Sequence, residues 1–177
     1  LETVVKALRS FVVSVVAVLA LAGCYTSDDP LIDEANAEYP FPAAVTYMYR
    51  DGFHAAVPGS LRREADHYVR EQDGMIAQLW FRRIEGNYFL VQHISPETPL
   101  YGYGLVEIDG NEVRDFAFGC DPAEDARYIA AEVLSLDDGV MPVVCKIEDA
   151  SRFTPMLLMK AEAHDPVGVY MIDAAAP

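Results

Sequence analysis

Through the middle of the chain, short runs rich in apolar residues are punctuated by turn residues and read as strands. On a strand, successive side chains point to opposite faces. Segments with this pattern cover residues 45–49, 60–64, 67–71, 75–84, 88–94, 101–108 and 112–118. Asp51-Gly52, Asp73-Gly74 and Asp109-Gly110 break the pattern, with Glu85-Gly86-Asn87 as a fourth interruption. Each supplies residues that tolerate positive φ, as a tight hairpin requires. Short links between successive strands predict an antiparallel meander, either an open sheet or a partial barrel. Segment 101–108 sets Tyr101, Tyr103 and Leu105 on one face and Gly102, Gly104 and Val106 on the other. Glycines inside a strand mark a bulge or the close approach of another group.

The pattern changes after Phe118. Asp121-Pro122 reads as a helix start: Pro suits the first helical position, and Glu124 and Asp125 suit the positive end of the dipole. Ile129, Ala130, Val133 and Leu134 follow at helical spacing. A second helix is expected after Pro155, because proline inside a longer helix from Asp149 would cost about 3 kcal/mol or more. Residues 167–172 read as a closing strand. The predicted class is α+β: an antiparallel β-meander, two short helices and a final strand, in one domain over residues 41–177.

The first 40 residues follow neither pattern. Residues 11–22 read FVVSVVAVLALA, after Lys6 and Arg9. A bilayer span takes roughly 20 apolar residues, so this run is too short, and extending it back to Val4 would bury both cations. A positive head, an apolar body and small residues before a cut suit a secretory signal peptide over residues 1–23. Its end, Leu21-Ala22-Gly23-Cys24, resembles the lipobox of bacterial lipoproteins. The general pattern is similar to small Gram-negative envelope lipoproteins. The resemblance implies cleavage before Cys24, a diacylglyceryl thioether on its sulfur and an acyl group such as palmitate on the new amino terminus. Two or more chains anchor stably, at about 0.8 kcal/mol per buried methylene. In enteric bacteria an Asp after the lipidated Cys retains such proteins in the inner membrane. Tyr25 stands there instead, which implies the outer membrane, with the domain facing the periplasm. Residues 24–40 then read as the lipidated Cys and an acidic tether, with Leu31 and Ile32 able to anchor its middle.

Charge narrows the partners. The chain has a formal charge of −15, and loss of residues 1–23 leaves 11 basic and 27 acidic side chains. Nucleic acid is excluded as an expected partner, because phosphate binding needs clustered Lys and Arg. An anionic leaflet would also repel such a body, so it stands off the surface on its lipid. At 52% hydrophobic and 11% aromatic, the chain is too apolar to be a disordered polyanion. Beyond Cys24 only Cys120 and Cys145 remain, an even pair in an oxidising compartment, and they predict a disulfide. Neither belongs to a CxxC pair or has a nearby His, so no metal or cofactor is expected.

Catalytic motifs are not evident. Pro58-Gly59-Ser60-Leu61-Arg62 lacks the second Gly of a nucleophile elbow. His54, His67, His93 and His164 show no HxxxH, HxH or HxxEH spacing. Tyr101-Gly102-Tyr103-Gly104 lacks the Lys-Ser/Thr end of a phosphate loop. Two surface features remain. Arg62, Arg63, Arg70, Arg82 and Arg83 fall on neighbouring strands, as a positive patch for an anionic envelope polymer or protein. The ordinary alternative is pairing with Glu64, Glu71 and Glu85, each pair worth under about 1 kcal/mol. Strand tyrosines, Tyr101 and Tyr103 among them, form either a binding face for sugar or peptide or ordinary sheet packing. The expectation is a non-enzymatic, lipid-anchored binding or assembly-accessory module. An inhibitor of a lysozyme-like hydrolase and a carboxylate-based envelope hydrolase are the alternatives.

Overall fold

The expected strand segments become strands throughout. The computed structural model describes residues 25–95, 98–137 and 143–173. Cys24, its lipobox and the apolar run lie outside the described residues. The strands are β1 (Tyr25–Ser27), β2 (Ala44–Arg50), β3 (Val57–Glu64), β4 (His67–Gln72), β5 (Met75–Glu85), β6 (Tyr88–Ser95), β7 (Thr98–Asp109), β8 (Glu112–Phe116), β9 (Leu134–Asp137), β10 (Val144–Ile147) and β11 (Gly168–Asp173). Two helices, α1 (Ala126–Ala130) and α2 (Ala150–Ala163), lie between β8 and β11.

The meander closes. β2 to β8 pair in chain order, and β11 inserts between β8 and β2. Eight strands therefore form a complete antiparallel barrel, where the sequence left an open sheet or partial barrel, and the molecule is mostly β. Closure has a plain cause: β11 satisfies the free edges of both terminal strands, which would otherwise present unpaired backbone groups. Asp73 (φ 51°) and Gly74 (φ 77°) both adopt positive φ between the paired Gln72 and Met75, the two-residue turn expected there.

A smaller sheet branches from the barrel. β7 pairs with β8 through residues 105–109 and with β1 through residues 101–103. β1 runs parallel to β10, and β10 antiparallel to β9. This corrects the reading of residues 25–40 as a solvated tether. Tyr25 is fully buried and Ile32 is 1% exposed. The Gln92 side chain holds both backbone groups of Ile32, at 2.9 and 3.0 Å. The acidic residues stay exposed while the few apolar ones dock.

Both helices depart from expectation. α1 is one short turn rather than a helix through Leu134. Glu132 turns to φ 56°, and Leu134 pairs with Ile147 in a strand the helical spacing had hidden. α2 begins before Pro155, not after it, and contains that residue. The Asp149 side chain caps the amides of Ser151 and Arg152, and Phe153, Met156 and Leu157 are fully buried. That burial, at about 1.5–3 kcal/mol per side chain, outweighs the missing hydrogen bond.

Two cores result. One fills the barrel with Val45, Leu61, Phe81, Val106 and Ile172 among others. The other lies outside it, where α2 covers Leu90, Leu105 and Phe116 of the barrel and Tyr25 of β1. Cys120 and Cys145 are bridged, with Cα atoms 5.4 Å apart. The bridge ties the segment after β8 to β10, a strand, rather than to a helical segment.

Candidate functional site

The expected basic and aromatic face does not assemble. Arg62 is exposed and pairs with Glu64 at 2.5 Å. Arg63 lies over the Tyr39 ring. Arg83 pairs with Glu38 and covers Phe89, and Arg82 donates to the Leu31 carbonyl at 3.1 Å. Neighbouring residues on a strand point to opposite sides, so five arginines on adjacent strands cannot share one surface. Tyr101 is half-buried, and Tyr103 is 1% exposed. The Tyr103 hydroxyl meets Ser27 Oγ at 2.8 Å and accepts from the Leu31 amide at 3.1 Å. It is a structural pin for the segment after β1.

Arg70 alone of the five is buried, inside the barrel. There it lines a cavity of about 260 Å³, with apolar walls from Leu79, Val91, Val106 and Val113 and one polar end. The cavity meets the segment Ala117, Phe118 and Gly119, where β8 has ended and Ala117 and Gly119 are exposed. An eight-stranded barrel is just wide enough to be filled by side chains or to hold one small ligand. Glycine explains why this one retains space. A Cβ on Gly59, Gly102 or Gly168 would collide with the rings of Tyr47, His93 or Tyr49, which lie across those glycines. Gly104 has nothing within 4 Å of its Cβ position, and it lines the void.

Four strands supply the polar end: Arg70 from β4, His93 from β6, Asp115 from β8 and Tyr170 from β11. Tyr47 of β2 also lines it, and its hydroxyl donates to Gln72 at 2.9 Å. Burial pushes the Asp115 carboxyl up to about 6, against the pull of Arg70 and a 3.3 Å hydrogen bond from Tyr170. Burial pushes His93 down to about 4, with Arg70 adding to it, so the imidazole is neutral near pH 7. Burial raises Tyr47 and Tyr49 to about 12 and Tyr170 well above the phenol range. Arg70, only 8% exposed, makes no hydrogen bond or ion pair among the described residues. It is a buried cation facing an open volume.

Comparison with protein-family models, curated proteins and solved structures finds no match to this chain.

The other candidate residues stay apart. Ser60 sits mid-strand in β3, opposite Thr46 and Glu71. His54 pairs with Asp51 at 2.6 Å on the surface, and His67 contacts Asp66 at 3.0 Å and stacks near Trp80. His164 lies 3.3 Å from Glu124. Cys120, Cys145 and Asp125 cluster within ligand distance of one another, but the bridge leaves no thiolate. Asp125 instead takes Lys160 at 2.7 Å and the Tyr25 hydroxyl at 2.9 Å. That buried ion pair links α2 to the start of α1, and the Tyr25 hydroxyl joins both to β1.

The sequence reading missed His93, Asp115 and Tyr170 as cavity residues, and it counted Arg70 into a surface patch. Strand parity could have found them. Arg70 shares its face with Tyr68 and Gln72, His93 with Phe89 and Val91, and Asp115 with Val113.

Proposed function

We propose that this chain is a lipid-anchored envelope lipoprotein, held through Cys24 at the outer membrane and facing the periplasm. Its barrel is a non-enzymatic module for a small molecule. The observation that supports it is the cavity: apolar walls, a few convergent polar groups and perturbed titrating residues in one place are the usual marks of a ligand site.

A hydrolase reading finds one favourable feature, the carboxyl of Asp115 beside the Tyr170 ring. Glycoside chemistry needs a second carboxylate about 5–9.5 Å away. Asp115 is the sole carboxylate among the described lining residues, and the group opposite is Arg70.

The reading is tested by titrating the chain with octan-1-ol and following the methyl resonances of Val91, Val106 and Val113. Shifts confined to these interior methyls are expected. Perturbation of surface residues alone would overturn the assignment of the cavity. Anchoring has its own test: Cys24→Ser should move the protein from membrane to soluble fractions, and an unchanged distribution would refute lipid tethering.

A further inference from the structure

A charged side chain held in a mostly apolar cavity without a hydrogen bond is costly, and a ligand that supplies one offsets that cost. Arg70 is 8% exposed and makes no hydrogen bond or close ion pair among the described residues; the Asp115 carboxyl is its opposing charge, and it lines the open volume. A guanidinium stays charged at any ordinary pH and presents a fork matched to two oxygens of one acid group. The wall beyond it is apolar: Leu79, Val91, Val106, Val113 and Ile172. The two halves of the cavity therefore ask for different halves of a ligand.

We infer, resting on the small-molecule reading above, that the cavity takes a short amphiphile with a single carboxylate, its head on the Arg70 guanidinium and its chain along the apolar wall. A cationic amphiphile is the opposite choice, since Asp115 also faces the space. Two observations favour the anion. Asp115 already accepts a hydrogen bond from Tyr170, whereas Arg70 has no such partner. Asp115 can also discard its charge by taking a proton, which Arg70 cannot do.

That asymmetry has a further consequence. Asp115 on β8 is faced by Arg70 of β4, His93 of β6, Tyr170 of β11 and Tyr47 and Tyr49 of β2. His93 is already neutral near pH 7, and the tyrosines titrate far above it. An arriving carboxylate neutralises Arg70 and repels an ionised Asp115, so binding draws a proton onto Asp115. Affinity then falls as pH rises above about 6, by up to about tenfold per unit.

The test titrates the full chain with octanoate, octan-1-ol and octylamine by calorimetry between pH 6 and 8, where octanoate stays ionised. Octanoate is expected to bind at least tenfold tighter than octan-1-ol at pH 6, and octylamine more weakly than either. Arg70→Met, which keeps the length of the side chain, should erase the octanoate preference and retain octan-1-ol. Arg70→Lys should restore part of it. Asp115→Asn should make octanoate affinity independent of pH. Equal binding of octanoate and octan-1-ol, or tighter octylamine, would overturn the carboxylate while leaving the cavity as a ligand site. Failure of all three probes would overturn both.

Discussion

Single glycines decide where the rings of the barrel interior come to rest. A Cβ on Gly102 would fall 2.4 Å from His93 Cε1, while one on Gly104 meets nothing within 4 Å. Gly102→Ala must push the His93 ring into the cavity, an overpacking cost of about 1–3 kcal/mol. Gly104→Ala adds a methyl to empty space and should cost under about 1 kcal/mol. Urea unfolding of the two variants checks this, and equal losses would mean that His93 does not rest on Gly102. In the sequence the two glycines are equivalent, both on the face opposite Tyr101 and Tyr103. Only the cross-strand partner separates them: His93 faces Gly102, and Val91 faces Gly104. Arg70 makes the same point, because a run of basic residues reads as surface until its strand register turns one of them inward.

At the scale of elements, local pattern succeeded for strands and faltered where packing overrode propensity. Seven meander segments and the closing strand appear within a few residues of where the turn signals bounded them. β9 was missed because Val133 and Leu134 fit a helical spacing equally well, and only the pairing of Leu134 with Ile147 of β10 chooses between them. α2 carries a proline that its burial tolerates. Pro155 is exposed, and so is Ser151, whose carbonyl loses the helical bond and can meet water. Pro155→Ala should therefore stabilise the protein by roughly 1–2 kcal/mol, the helical gain being partly offset by a freer unfolded chain. A lower denaturation midpoint in this variant would overturn the reading of Pro155 as a net cost to α2. The disulfide belongs to this scale too, since only two cysteines remained to pair, and its loop of 25 residues is worth about 3.5 kcal/mol in the chain-entropy model.

For the whole molecule, the cavity writes two opposed pH dependences into stability. His93 is pushed down from 6.5 to about 4, so the unfolded chain binds the extra proton and stability falls as pH drops through that window. Asp115 is pushed up from 3.8 to about 6, so the folded chain binds the extra proton and stability rises as pH drops. Between about pH 4 and 6 the two nearly cancel. Asp115→Asn leaves His93 acting alone and should lose about 3 kcal/mol between pH 6.5 and 4 relative to the native chain's profile. His93→Gln should gain about as much over the same range. Unfolding curves at several pH values check the pair, and parallel slopes in the two variants would refute the buried charges. By itself, the sequence determined what depends on near neighbours: strand segments, the Asp-Gly turns and which cysteines could join. Tertiary structure alone decided that the meander closes, that residues after Cys24 fold into a sheet, and that Arg70, His93, Asp115 and Tyr170 meet. Those groups come from four different strands, and period-two alternation assigns a face to each residue without saying which edges join or which remote residues share a height in the barrel.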